Sequence, residues 1–311
     1  MINYLLPIVA TILLATSCQS DVRQSPYVVQ FDHPESITRI QLVYRNGDVA
    51  DLRRGENWSL NDSLKAWQSP VNTLLETLKR MRVRFIPTEA SLPTILADLA
   101  TQSVKVNVFG LNGNPIRSFY IGGVTSDEQG TYYVAEPDGI PLVIEIPGWQ
   151  GALRSRFVMG LDEWRDRSLF QGDPQMVDKI QVEFPQQPRS GFALLRERGR
   201  WQLQSLNSDR EAILEPNASL VQNYWLDVQS VGIESYEKPP PDRARILITL
   251  PYCRLQLSGA SGTVASWDFF PVDDTGRAER YWIINQNGEW MLAQTRILQK
   301  IFISNAYFLQ K

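Results

Sequence analysis

Ser69-Pro70-Val71-Asn72-Thr73-Leu74-Leu75-Glu76-Thr77-Leu78-Lys79-Arg80-Met81 is the stretch from which the fold can be read. Its apolar residues Val71, Leu74, Leu75, Leu78 and Met81 fall at i, i+3, i+4, i+7 and i+10, which makes one apolar stripe on a helix. The same spacing returns 150 positions later in Val221, Tyr224, Trp225, Val228 and Val231. Ser69 and Ser219 stand two residues before each stripe as N-cap candidates, and Pro70 suits a first helical turn.

Working outward, the repetition extends along the chain. Ile40, Leu42 and Tyr44 alternate as Ile180, Val182 and Phe184 do, the period of a half-buried strand. Gly55-Glu56-Asn57-Trp58-Ser59-Leu60 resembles Gly199-Arg200-Trp201-Gln202-Leu203. Downstream, Val104, Val106 and Val108 pair with Ile246, Ile248 and Leu250, and Tyr132-Tyr133-Val134 with Tyr281-Trp282-Ile283. Asp138-Gly139 and Asn287-Gly288 are hairpin-turn signals whose central residues favour positive φ.

Repetition in order, spacing and turn chemistry predicts an α+β fold of two similar tandem halves. Each half is an antiparallel sheet with one main amphipathic helix and a short C-terminal helix. The first half is expected over residues 31–170 and the second, more diverged, over 171–311. The turn-rich run Phe170-Gln171-Gly172-Asp173-Pro174 separates them. Lys238-Pro239-Pro240-Pro241-Asp242 reads as a stiff connection between a helix and a strand.

The N-terminus has a different character. Residues 4–15 are an apolar run followed by Thr16-Ser17-Cys18. Twelve residues are too few to cross a bilayer, which takes about 20, but suit the apolar core of a signal peptide. Small residues before a cysteine resemble the lipobox of bacterial lipoproteins. That resemblance implies a signal peptide over residues 1–17, cleavage between Ser17 and Cys18, lipidation of Cys18, and a tether over 18–30. It places the protein in the cell envelope, with the membrane as its first partner. Gln19 after the cysteine favours the outer membrane, facing the periplasm, over the inner membrane.

The chain has 311 residues and a net charge of −3, so it lacks the basic excess that nucleic acid requires. Its single histidine, His33, and its two cysteines, Cys18 and Cys253, do not supply a zinc site of the usual kind. Cys253 lies in a strand-like run and reads as a core residue. No Gly-x-Ser-x-Gly elbow, phosphate-binding loop or dinucleotide fingerprint occurs. Asp127-Glu128, Asp162-Glu163 and Asp273-Asp274 sit in turn-like stretches, where acidic residues bond locally. Most aromatics, among them Trp58, Trp201, Tyr224, Trp225 and Trp282, occupy core-type positions.

The expectation is a non-enzyme without a cofactor or metal. Trp164-Arg165-Asp166-Arg167 is the most distinctive run. Arg165 and Arg167 around the Trp164 anchor are candidates for a partner contact, and a helix end closing the first core is the plainer reading.

Several of these features occur together in one family. The Trp-x-Leu strand end at Trp58, the helix Pro-Val-x-x-Leu-Leu-x-x-Leu, and Ser118-Phe119-Tyr120-Ile121-Gly122-Gly123 follow in order. Tyr132-Tyr133-Val134 and Trp164-Arg165-Asp166-Arg167-Ser168-Leu169-Phe170 complete the series. Together they resemble the DUF4340 domain, a family of unknown function in bacterial envelope proteins, most closely over residues 38–170. The resemblance implies an envelope complex, with ABC-transporter or gliding-type auxiliary components as partners. The functional expectation is a non-catalytic scaffold or accessory subunit of such a complex. A binding module for a glycan, lipid or peptide is the alternative, and a carboxylate-based hydrolase a third.

Overall fold

The computed structural model describes residues 27–310 except 138, 207–212 and 274–277. Ser17, Cys18, Asp138 and Asp274 therefore lie outside the described residues.

The first half opens with strands β1 (Arg39–Val43), β2 (Val49–Arg54), β3 (Trp58–Leu60) and β4 (Leu64–Lys65). Helix α1 (Gln68–Arg80), strand β5 (Arg82–Phe85) and helix α2 (Leu92–Gln102) follow. Strands β6 (Val104–Phe109), β7 (Pro115–Val124), β8 (Thr131–Glu136) and β9 (Leu142–Glu145) precede the one-turn helix α3 (Leu161–Trp164).

The second half starts with β10 (Lys179–Glu183), β11 (Phe192–Glu197), β12 (Arg200–Ser205) and β13 (Ile213–Leu214). Helix α4 (Ala218–Ser230), strand β14 (Ser235–Glu237) and helix α5 (Arg243–Leu247) come next. Strands β15 (Cys253–Gly259), β16 (Gly262–Pro271), β17 (Arg280–Asn285) and β18 (Trp290–Gln294) lead into α6 (Thr295–Leu298).

Each half forms one nine-stranded antiparallel sheet, in the orders β4-β3-β2-β1-β6-β7-β8-β9-β5 and β13-β12-β11-β10-β15-β16-β17-β18-β14. The two orders are identical once strands are renumbered within each half. The expected duplicated α+β architecture is therefore present.

Helix stripes explain how each sheet is covered. Val71, Leu74, Leu78 and Met81 are fully buried against Ile40, Leu42, Val106, Phe119 and Ile121 of the first sheet. Val221, Tyr224, Val228 and Val231 do the same against Ile180, Val182, Leu255 and Phe269. Burial of such side chains contributes about 1.5–3 kcal/mol each, which holds each helix on its sheet. The caps are Trp67 and Asn217, not the expected Ser69 and Ser219, which lie inside the first turn. Asn217 accepts from the amides of Ser219 and Leu220.

Register corrects two sequence pairings. Leu42 faces Val106 in the first sheet, and its counterpart Val182 faces Leu255 in the second. Val104, Val106 and Val108 thus correspond to Cys253, Leu255 and Leu257. Ile246 belongs to α5, and Ile248 and Leu250 are exposed beyond its end. The proline run accordingly separates β14 from α5, where a helix-to-strand connection was expected.

Ile121 faces Tyr133, and Phe269 faces Ile283, so Tyr133 corresponds to Ile283 and Tyr132 to Trp282. That one-residue slip puts Trp282 on the outer face, packed with Phe270 and Trp290, and not in the core expected for it. Trp201 is half-buried at the edge of the second core. Cys253 is buried in β15, as expected.

The Asn287-Gly288 turn has positive φ at Gly288 alone. Paired positive φ occurs instead at Arg198-Gly199, between Glu197 and Arg200, and at Asn61-Asp62, between β3 and β4.

Helix α2, unanticipated from sequence, explains Gly122-Gly123. The Gly123 amide donates to Asp98 Oδ2 at 2.6 Å, and a Cβ on Gly122 would lie 2.9 Å from Leu99 Cδ2. In the second half the same positions hold Phe270 and Pro271, and α2 is replaced by the five-residue α5.

Candidate functional site

The two halves meet where α3 ends. Gly160 and Glu163 close the turn of α3, with the Gly160 amide donating to Glu163 Oε2 at 2.6 Å. The chain then turns extended at Arg165. Trp164, expected to anchor this run, is fully buried in the first core, and its Nε1 donates to the Tyr44 hydroxyl at 2.9 Å. Burial pushes the Tyr44 hydroxyl up to about 12, which keeps it protonated at neutral pH.

Residues 164–169 bond to both halves. On one side, the Trp67 amide donates to Trp164 O at 2.7 Å and the Asp166 amide to Lys65 O at 2.9 Å. On the other, Ile233 donates to Arg167 O at 2.7 Å and Leu169 to Val231 O at 2.8 Å. Isolated antiparallel bridges join Ala66 to Arg165 and Ser168 to Gly232. These partners adjoin β4 and β14, the inner edges of the two sheets, so the connecting segment spans from one sheet to the other.

Arg165 and Arg167, the other candidate residues, have unlike surroundings. The Arg165 guanidinium lies 3.6 Å from the centre of the Tyr236 ring. It donates through Nη2 to Glu289 Oε1 at 2.8 Å and through Nη1 to Asp162 Oδ1 at 3.2 Å. Burial works to raise the Glu289 pKa, but the bonds from Arg165 and Asn285 outweigh it and hold the carboxyl below its ordinary value. Tyr236 donates to Asp166 O at 2.8 Å and accepts from Gln171 Nε2 at 3.0 Å. Arg167 stacks over Trp67 at 4.2 Å, and its Nε is buried without an acceptor among the described residues.

Between the halves lies a groove of about 270 Å³, lined by Leu64, Arg165, Tyr236, Trp267, Asn285 and Glu289 among others. Its charged groups are already paired to one another, and its remaining polar lining is amide and phenol. Such a surface can hold a small polar molecule by hydrogen bonds. A larger cavity of about 680 Å³ gathers Arg280, Gln294 and Arg296, but Arg280 is committed to Glu234 at 2.8 Å.

Asp127, Asp166 and Asp173 serve local turns. Asp127 accepts from the Thr125 hydroxyl, the Gln129 amide and Arg84, which lowers its pKa to about 2. Asp166 and Asp173 accept from the amides of Ser168 and Gln175. His33 is exposed and bonded to Glu35 at 2.9 Å. Among the described residues no three His, Cys, Asp or Glu side chains gather as a metal site. None of the helices there is long and apolar enough to cross a membrane.

Trp164, Trp67 and Trp149 do not form a shared aromatic surface. Trp164 is buried, Trp67 is half-covered by Arg167, and Trp149 is 53% exposed under Arg156.

Sequence reasoning missed Tyr236, Glu289 and Gln171. Nothing in a single sequence pairs Glu289 with an arginine 124 positions earlier. The Asn287-Gly288 turn, which positions Glu289 two residues from its tip, was the nearest signal.

A family model described as "Domain of unknown function (DUF4340)" matches residues 58–245. The match starts at Trp58, runs through the junction, and ends in α5 of the second half. No curated protein and no solved structure matches the chain.

Proposed function

Because the family model spans more than half of its 311 residues, the chain belongs to the DUF4340 family, and from that premise we propose that it is a lipid-anchored envelope lipoprotein acting as a non-catalytic scaffold or accessory subunit. The observation that carries this reading is the connecting segment. Hydrogen bonds from residues 164–169 to the segments that adjoin β4 and β14 tie the two halves together. A platform of two joined sheets, with Asp127, Asp162, Glu163, Asp166 and Asp173 engaged by nearby amides, a hydroxyl or arginines, suits assembly better than turnover.

The apolar run at 4–15 and Thr16-Ser17-Cys18 support anchorage through acyl chains on Cys18, each buried methylene contributing about 0.8 kcal/mol. The membrane complex to be tested first is of the ABC-transporter or gliding-accessory kind, and the outer membrane, facing the periplasm, is the location to be tested first.

Two measurements on native membranes test this. Intact mass of the purified protein is expected to show residues 1–17 removed and acyl chains on Cys18; a full-length chain or a bare thiol contradicts the anchor. Crosslinking in native membranes is expected to return the same protein partners repeatedly, and Arg165→Ala to weaken their recovery. Repeated recovery of the chain alone contradicts the scaffold.

The groove favours a second reading. Asn285, Gln286, Asn287 and Gln171 beside Tyr236 and Trp267 give it the amide and ring lining of a glycan site. Thermal stabilisation by members of an oligosaccharide panel, abolished by Tyr236→Ala, supports that reading, and no shift with any member removes it.

A further inference from the structure

The two halves treat one sheet edge in opposite ways. In the second half the segment entering β14 is covered by residues 167–169. The equivalent edge in the first half is β5, an outer strand of its sheet. Helices α1 and α4 align at an offset of 150, because Trp67 and Asn217 cap them and the amides of both donate the same closing bond, to Trp164 O and Phe308 O. At that offset Lys79 and Arg80 at the end of α1, with Arg82 and Arg84 of the edge that no strand pairs among the described residues, replace Gln229, Ser230, Gly232 and Glu234 of the covered one. Four cations stand where the paired edge has none.

Local carboxylates neutralise only part of this charge. Glu76 lies 3.6 Å from Arg80, and Arg84 is shared by Asp127 at 2.8 Å and Glu145 at 3.3 Å. Lys79 and Arg82 have no ion pair among the described residues. Arg82 Nη1 instead donates to the Lys79 and Met81 carbonyls, and Glu35 feels the Lys79 charge without contacting it. Arg156, which donates to Thr77 of α1 and stacks on Trp149, adds another cation near Arg80.

Charged residues alone on an open edge would be accounted for by protection against edge-to-edge pairing. Here they share the surface with Phe85, Ile86 and Trp149, which are 46%, 52% and 53% exposed and would defeat such protection.

The chain also enters the fold at this place. The Phe31 amide donates to Leu78 O at the end of α1, at 2.9 Å. Between Cys18 and Phe31 lie only residues 19–30. A chain of that length reaches at most about 45 Å when fully extended.

We infer that the β5 edge, with Lys79, Arg82, Arg156, Trp149 and Phe85, is a surface for anionic phospholipid headgroups and faces the bilayer. Cations would neutralise the lipid phosphates while Trp149 and Phe85 sit at headgroup level. Its orientation rests on the Cys18 anchor proposed above, but its affinity for lipid does not.

The test uses the chain from Gln19 onward, which retains every described element and cannot be acylated. Flotation is measured with vesicles of phosphatidylcholine alone and with 30% phosphatidylglycerol. Binding is expected only to the anionic vesicles, to weaken as salt rises, and to fall about thirty-fold in Lys79→Gln/Arg82→Gln, roughly 1 kcal/mol per basic residue removed. Trp149→Ala, at an exposed position, is expected to weaken binding without lowering the melting temperature. Absence of binding to anionic vesicles overturns the inference, as does equal binding to both compositions. Unchanged binding in both variants overturns it as well. The mass of the native protein is a separate measurement, so failure of the anchor and failure of this surface are distinguishable.

Discussion

Arg165 and Glu289, 124 positions apart, form a 2.8 Å hydrogen-bonded ion pair between the end of the first half and the last hairpin of the second. The Arg165 side chain is 16% exposed and packs on Tyr236, so the pair is screened less than a surface bridge. A single arginine thus contacts its own helix turn, the opposite ring and the opposite carboxylate. It joins a junction that also holds backbone hydrogen bonds, the Tyr236 hydroxyl bond to Asp166 O and Arg167 stacked on Trp67.

Removing the guanidinium is expected to loosen the junction. Arg165→Ala should destabilise the protein by about 1–3 kcal/mol, since it deprives Glu289 of its charged partner and Tyr236 of its stacking group. Glu289 is 39% exposed, so the pairwise coupling in an Arg165→Ala/Glu289→Ala cycle should be smaller, about 1 kcal/mol. Urea midpoints of the four proteins provide the measurement, and additive single effects would show the pair to be inert.

Acid should weaken the same contact. The folded-state pKa of Glu289 lies below its ordinary value of 4.5, so its contribution to stability is complete above about that pH. It is lost as the pH falls through the lower folded value. Glu289→Gln lacks this titration. The stability difference between wild type and Glu289→Gln should therefore be constant from neutral pH down to about 5 and shrink at lower pH. A difference that grows on acidification would reverse the sign and refute the pairing.

The glycine pair tests the packing of α2. A Cβ at Gly122 would sit 2.8 Å from Asp98 Oδ2 and 2.9 Å from Leu99 Cδ2. Gly122→Val should cost about 1–3 kcal/mol by overpacking and release α2 from β7. Circular dichroism should then show a loss of helix at temperatures where the wild type is native. Full helicity and wild-type stability would mean that the close approach is not required.

Trp164 closes the first core and bonds to Tyr44. Trp164→Ala should cost about 3–5 kcal/mol through the cavity it leaves. Trp164→Phe keeps most of the packing but loses the Nε1 bond, and should cost about 1 kcal/mol more than packing alone. Thermal denaturation of the two variants separates these contributions, and wild-type stability in Trp164→Phe would deny the hydrogen bond its share.

Much of the fold was legible because it was written twice. The stripe Val71–Met81 and its copy Val221–Val231 place both helices at one offset, and Trp58 and Trp201 occupy equivalent strand positions at another. Where the copies diverged, pattern alone failed. Ile246, Ile248 and Leu250 alternate like a strand, yet Pro251 follows them directly and the true counterpart starts at Cys253. Tyr132-Tyr133 and Tyr281-Trp282 slipped by one residue because aromatic side chains occupy both faces of these strands, which removes the alternation that fixes register. The junction was legible only in part. Trp164-Arg165-Asp166-Arg167 stood out locally, but its partners Tyr236, Glu289 and Ile233 are set by tertiary geometry. The cationic β5 edge acquires meaning only beside its covered counterpart, once the two sheets are superposed strand by strand.

Hydrogen exchange of the amides from Asp166 to Leu169, together with Ile233, tests the rigid connection of the halves most directly. These amides should exchange as slowly as those of the neighbouring sheet strands, with Asp166, Leu169 and Ile233 protected by their bonds to Lys65, Val231 and Arg167. Exchange at the rate of an exposed loop, while both sheets stay protected, would show two bodies on a flexible link and contradict the single scaffold.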